Sequence, residues 1–231
     1  MKSKLTWLEL LLLAAPFAAL ILLWNQLPAR IPVHWNLHGE IDSWGSKMPH
    51  LLVLPLTALG MVVLLRILPW FDPKLRRRSN DEGLMPVVLP IVRIATLLLL
   101  NTVFFVQIAT SLGRKVAAAR IMVICLLLFF IVLGNYLGNL RPNYFVGIRT
   151  PWTLEDPETW RATHRLGGRL MFFGGLILLV AQFFLTESIF GMLFLASILA
   201  LAAWSFVYSW RYSRTQVSRA SKAVGGPSTN L

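Results

Sequence analysis

LGNYLGNLRPNYFVGIRTPWTLEDPETWRATHRLGGRL, residues Leu133–Leu170, is polar, aromatic and crowded with Gly, Pro and Asn. Long apolar runs lie on both sides of it. Hydrocarbon asks only for apolar side chains, so bilayer-facing sequence is monotonous, and a dense polar segment between two such runs marks a membrane boundary. Working outward, a bilayer crossing needs about 20 mostly apolar residues. Six runs meet or approach that length: Leu8–Leu27, Leu51–Trp70, Val87–Ser111, Ala117–Leu140, Leu170–Thr186 and Ile189–Trp210. The fifth is the shortest and its ends are the least sharply marked. The expected fold class is all-α, a polytopic membrane helix bundle of about six transmembrane helices with both termini cytoplasmic.

Composition agrees. With 56% hydrophobic and 14% charged residues, and a mean hydropathy of +0.65, the chain leaves no room for a separate soluble domain. A net charge of +12 would raise nucleic acid as a partner in a soluble protein. Here the distribution of basic residues explains it better, because cytoplasmic loops collect Lys and Arg. With the N-terminus inside, the inner side holds Lys2, Lys4, Lys74, Arg76, Arg77, Arg78, Arg141, Arg149, Arg161, Arg165, Arg169, Arg211, Arg214, Arg219 and Lys222. The outer side holds only Arg30, Lys47, Arg114, Lys115 and Arg120. Membrane lipids are the expected general partner, and no direct nucleic-acid binding is expected. The chain divides into a three-span module over 1–112 with an outer loop at 28–50, and a second over 113–212 with an inner loop at 141–169. The Ser/Gly/basic tail at 213–231 reads as disordered.

Polar residues inside the spans are few. Glu9 and Arg66 lie near cytoplasmic ends, where they can snorkel. Arg93 sits deep enough to want a partner or a water-filled pocket. Asn101 and Gln107 read as interhelical glue. No carboxylate occupies a midplane position, which weakens an ion-coupled transporter. The lone Cys125 allows no internal disulfide and reads as a packing residue.

In the opening segment, Asn135, Asn139 and Asn143 recur every four residues and would form one polar stripe on a helix ended by Pro142. Gly134 and Gly138 form a GxxxG pair that admits a close second helix. The chain should turn through Gly147 and Pro151. Thr153 is the expected cap of a short helix, with Asp156 and Pro157 in its first turn. Trp160 and His164 share a face at i, i+4, and Gly167/Gly174 and Gly168/Gly175 repeat at seven. Two readings stay open. One is a cytoplasmic docking site built from Asn143, Arg149, Trp152, Trp160, His164 and Arg165. The other is an ordered interfacial loop whose aromatic and Arg side chains anchor in headgroups.

The outer loop, IPVHWNLHGEIDSWG over residues 31–45, places His34 and His38 at i, i+4, with Glu40, Asp42 and His50 nearby. Imidazoles with a carboxylate can bind a divalent metal. Pro32 and Gly39 argue against the helix this spacing needs, and no HExxH is present. The loop is expected to pack as a lid over the outer helix ends. No metal, no cofactor and no enzymatic activity are expected.

These two segments carry a resemblance. The chain resembles the SdpI family of bacterial immunity proteins named for the sporulation-delaying toxin. The family's N-Y and G-I-R-T-P-W-T-L core is matched by Asn143 and Tyr144, then Gly147, Ile148, Arg149, Thr150, Pro151, Trp152, Thr153 and Leu154. Its W-x-x-T-H-x-x-G element is matched by Trp160, Thr163, His164 and Gly167. The outer loop is similar to a module of unknown function that often precedes this one, through Ile31, Pro32, His34, Trp35, Gly39, Asp42, Trp44 and Gly45. In that pattern the first His recurs and the second generally does not, which makes His38 incidental. The resemblance implies a multi-pass protein of the bacterial plasma membrane that protects against a secreted, membrane-active peptide toxin. It also implies toxin sensing, with a small transcriptional repressor held at the inner face. The competing expectation is a small-molecule or lipid transporter or flippase-like protein, with Arg93 and the Asn135/Asn139 stripe lining a path.

Overall fold

The computed structural model describes residues 6–36, 39–71 and 85–224. Most of the second connection (72–84) and His38 lie outside the described residues. Helix α1 spans Trp7–Leu23 and opens on a capping box, in which Thr6 accepts the Glu9 N–H at 3.2 Å and Glu9 accepts the Thr6 N–H at 2.8 Å. A 3-10 turn follows at Trp24–Gln26. Strands β1 (Arg30–Trp35) and β2 (Ile41–Ser46) form an antiparallel hairpin. Helices α2 (Lys47–Phe71), α3 (Met85–Ser111) and α4 (Ala118–Leu137) come next. The short α5 (Pro151–Glu155), then α6 (Pro157–Ala181) and α7 (Glu187–Val224), complete the chain.

Six of these helices are long and apolar enough to cross a bilayer. The fold is an all-α polytopic membrane helix bundle with one small hairpin added. Helices α1 and α2 both pack on α3, α3 on α4, α4 on α6, and α6 on α7. The α4–α6 contact is the most extensive between helices.

The outer loop does pack over helix ends, as a hairpin. Ile31 is fully buried among Leu20, Leu27, Leu51, Phe104 and Ile108, so β1 plugs the ends of α1, α2 and α3. Gln107 on α3 donates to the Pro32 carbonyl at 2.9 Å, a bond proline's own ring leaves available. Lys47 closes the same end: its ammonium donates to the carbonyls of Trp24 and of Leu27 (3.1 Å) and lies 4.1 Å from the centroid of the Trp24 ring. Carbonyls left over at a helix C-terminus are natural cation partners.

Four sequence expectations change. Glu9 does not snorkel: it is fully buried, with Arg93 Nε at 2.5 Å and Arg66 at 3.9 Å. The capping box turns the carboxylate inward, and Arg93, fully buried on α3, meets it there. The fourth span ends at Leu137, before Asn139 and Pro142, because Gly138 closes it; the three-Asn stripe is therefore not one helical face. The fifth span's helix starts at Pro157, so half of the expected inner loop is helix. The expected disordered tail is helical through Val224, since no Gly or Pro interrupts residues 187–224 except Gly191 near the start. Residues 225–231 lie outside the described ones. Asn101 does act between helices, donating to Leu12 at 3.1 Å as well as to Leu97 of its own helix at 2.8 Å.

Candidate functional site

Residues 141–156 fold back onto the first turns of α6, and Asn143 organises the turn. Its amide NH2 donates to the carbonyls of Arg141 (2.9 Å) and Val146 (3.0 Å). Its carbonyl accepts the N–H groups of Phe145 (2.9 Å) and Val146 (2.7 Å). The side chain is fully buried with its amide engaged on both sides. Gly147 then takes φ +115°, a conformation open to glycine. It also lies against His164 so closely that a Cβ would strike the imidazole Nε2.

His164 is fixed by both ring nitrogens. Nε2 accepts the Ile148 N–H at 2.9 Å, and Nδ1 donates to the Trp160 carbonyl at 2.8 Å. A carbonyl only accepts and an N–H only donates, so the ring is the neutral Nδ1–H tautomer. Trp160 stacks on it at 4.0 Å between centroids and donates its indole N–H to the Leu140 carbonyl at 2.8 Å. Both side chains are fully buried. The i, i+4 spacing on α6 thus clamps the loop at Leu140 and Ile148.

Two caps follow, one residue set earlier than expected. Thr150, not Thr153, caps α5: it accepts the Thr153 N–H at 3.3 Å, and Thr153 Oγ1 accepts the Thr150 N–H at 2.9 Å. Asp156 caps α6, taking the N–H groups of Glu158 (3.2 Å) and Thr159 (2.7 Å) and the Thr159 hydroxyl (2.5 Å). Burial alone would raise the Asp156 pKa, but the Thr159 and Glu158 bonds outweigh it and hold the carboxyl below its ordinary value. Thr150 also donates to Ser209 Oγ at 2.9 Å, and Trp152 meets Phe206 edge-on at 5.1 Å, tying the loop to α7. The T-P-W-T spacing carries this reciprocal pair, which the expected cap at Thr153 missed; nothing in the sequence signalled Ser209 as its partner.

Glycines set the helix crossing beneath. A Cβ on Gly134 would lie 2.6 Å from the Phe172 backbone nitrogen, and one on Gly168 would lie 2.7 Å from the Gly134 carbonyl oxygen. A Cβ on Gly167 would fall 2.5 Å from the Ile148 side chain. The loop sits on α6 because that helix has no side chain there.

The expected docking set therefore separates. Asn143, Trp160 and His164 are interior and touch no external partner directly. Tyr144, Phe145, Arg149, Pro151, Arg161, Arg165 and Arg169 are exposed, and Trp152 is half-buried. Asn135 and Asn139 are exposed rather than lining an interior path, and Arg93 is held by Glu9. At the other end, His34 Nδ1 lies 2.6 Å from Asp42 Oδ1 across the hairpin, both side chains exposed. Trp44 is about half exposed, with Arg30 donating to its carbonyl at 3.3 Å. His50 donates to the Ser46 carbonyl at 2.8 Å. Among the described residues, no group of three or more His, Cys, Asp and Glu comes together that could hold a metal.

Comparisons with known proteins cover both ends of the molecule. The SdpI/YfhL protein family matches residues 139–209, which take in the folded loop, α6 and most of α7. A domain of unknown function, DUF1648, matches residues 11–59, which take in α1, the hairpin and the start of α2. The chain is 25% identical over 221 residues to the Immunity protein SdpI of Bacillus subtilis (strain 168), covering 92% of this chain and 98% of that one. No solved structure matches it.

Proposed function

The chain belongs to the SdpI/YfhL protein family as a multi-pass protein of the bacterial plasma membrane, and from that premise we propose that it is an immunity protein. It protects the cell that makes it from a secreted, membrane-active peptide toxin. The observation that carries this is the reach of the similarity, which runs through both modules along nearly the whole of both chains. The proposed orientation has both termini inside, on the basic bias counted above. The hairpin then faces the toxin, and the loop at 141–156 faces the cytoplasm. The modules divide at about residue 112, between α3 and α4.

The inner face is proposed to hold a small repressor once toxin is met. Supporting this, Arg149, Arg165 and Arg169 are each exposed and have no acidic partner among the described residues. A bidentate contact to a carboxylate requires the planar guanidinium, whereas a headgroup anchor accepts any snorkelling cation. Arg149→Lys is expected to leave protein levels unchanged and to abolish repressor recruitment, read as membrane-bound repressor fluorescence. Recruitment that survives this exchange would make the loop an anchor.

The function itself is tested by producing the chain in a sensitive bacterium and exposing it to peptides of the sporulation-delaying type. Survival should rise. Unchanged killing across a panel, with the protein present in the membrane, would overturn the immunity reading.

A further inference from the structure

A cavity of about 420 Å³ lies where the hairpin tip meets the starts of α4 and α7. Its walls are mostly apolar, with Val123, Phe190 and Leu195 among them. Two opposite charges line the same space: Arg120, third residue of α4, and Glu187, first residue of α7. Both are exposed, and neither has a charged partner among the described residues. Gln182 also lines the cavity; it is nine-tenths buried, and its amide reaches only the Leu179 carbonyl, at 3.4 Å. Carrying these polar groups beside hydrocarbon is costly unless something meets them.

The geometry points to a phospholipid site selective for a phosphatidylethanolamine headgroup, with its ammonium at Glu187, its phosphate at Arg120 and one acyl chain along the apolar wall. Charge complementarity selects the occupant. The cavity presents one acid, one base and an apolar run at the end of two membrane-spanning helices, and a zwitterionic lipid carries the matching three parts in that arrangement. The phosphate belongs on the α4 side, because the residue before α4, Ala117, supplies no side-chain cap and a helix N-terminus favours an anion. The carboxylate distinguishes headgroups: an ethanolamine ammonium donates hydrogen bonds to it, a quaternary choline has no N–H to donate, and a glycerol headgroup brings no positive charge. The assignment does not depend on the toxin.

The test uses the full-length protein, purified in detergent, stripped of lipid and then offered equal amounts of phosphatidylethanolamine, phosphatidylcholine and phosphatidylglycerol, with retained lipid counted by native mass spectrometry. Ethanolamine lipid should be retained about tenfold over the other two. Glu187→Gln should remove that preference while leaving some retention. Arg120→Ala should lower retention of every phospholipid, and Leu195→Trp should do so by filling the acyl part. Melting temperature reports whether each variant is folded; a collapsed variant is replaced by Arg120→Gln or Leu195→Phe in the same comparison. Equal retention of the three lipids, or a preference that survives Glu187→Gln in folded protein, would overturn the proposal. So would displacement of no lipid while a sporulation-delaying-type peptide protects a cysteine placed at Met192 from a thiol reagent, since the cavity would then be a peptide site.

Discussion

The loop at 141–156 and the hairpin at 30–46 are two polar parts of a largely apolar chain, and they spend their polar groups in opposite ways. The loop turns its Asn and Thr side chains inward against its own backbone, and His164 of α6 takes the Ile148 N–H from below. The hairpin buries Ile31 and leaves His34, Asp42 and Trp44 outside. A dense motif of rare residue types is thus architecture in one place and surface in the other. Motif density alone does not separate the two, whereas hydrogen-bond accounting does. A buried side chain whose donors and acceptors are all taken by backbone has nothing left to offer a partner.

Glycine replacements give the largest expected effect. Gly168→Leu and Gly147→Leu would force side-chain atoms into the Gly134 carbonyl and the His164 ring. The Gly134 carbonyl cannot move without opening the α4–α6 contact, and the His164 ring cannot move without giving up its bonds to Ile148 and Trp160. Both variants should be nearly absent from the membrane fraction by immunoblot. Normal accumulation of either would mean that the loop is not anchored on α6.

Next come the buried polar residues. Asn143→Ala strands backbone groups at Arg141, Phe145 and Val146, and His164→Ala strands the Ile148 N–H, while the Trp160 carbonyl keeps its helical bond. An unmet buried group costs about 1–3 kcal/mol. Asn143→Ala should therefore lose about 3 kcal/mol or more and His164→Ala about 1–3 kcal/mol, each read as a clear fall in melting temperature in detergent. Unchanged melting with lost function would return Asn143 and His164 to the role of contact residues.

Much of this was legible beforehand. Hydropathy located six spans, because a bilayer imposes length and apolarity on any helix that crosses it. The Gly134/Gly138 pair announced the close crossing, and the Trp160/His164 spacing announced one shared face. What sequence could not show was direction. His164 at i+4 from Trp160 faces solvent or interior with the same spacing, and only the loop folded over α6 makes it interior. Glu9 reads as a snorkelling carboxylate until Arg93, far along the chain, is seen against it. The hairpin was hidden because Pro32 and Gly39 look like loop residues. Pro32 is tolerated because both strands of a two-stranded hairpin are edges and the register shifts beside it, so its missing N–H is not needed by the ladder.

A smaller effect separates the ends of the loop. Asp156→Ala removes the α6 cap, a loss of about 0.5–2 kcal/mol. Because its folded pKa is lowered from 3.8, Asp156 contributes stability fully above that ordinary value. The contribution is lost as pH falls through the lowered folded value. The melting difference between parent and variant should therefore be constant near neutrality and shrink below about pH 4. A difference that persists undiminished in acid would assign the effect to packing.

The smallest stability effect belongs to the hairpin, and it decides the comparison. His34 and Asp42 have side-chain exposures of 66% and 42%, so their contact is worth at most about 1 kcal/mol. Asp42→Asn and Trp44→Ser should leave accumulation and melting close to the parent's, because neither side chain lies among the buried residues over α1, α2 and α3. If the outer surface meets the toxin, the same variants should lower survival in the killing assay. The motif loop should show the reverse pattern, with protection lost only in proportion to lost protein. Hairpin variants that are stable and fully protective would move recognition away from His34, Asp42 and Trp44. The exposed arginines of the inner loop would then be the remaining polar surface, and a protein that protects through its inner face alone would be acting after the toxin has entered the bilayer.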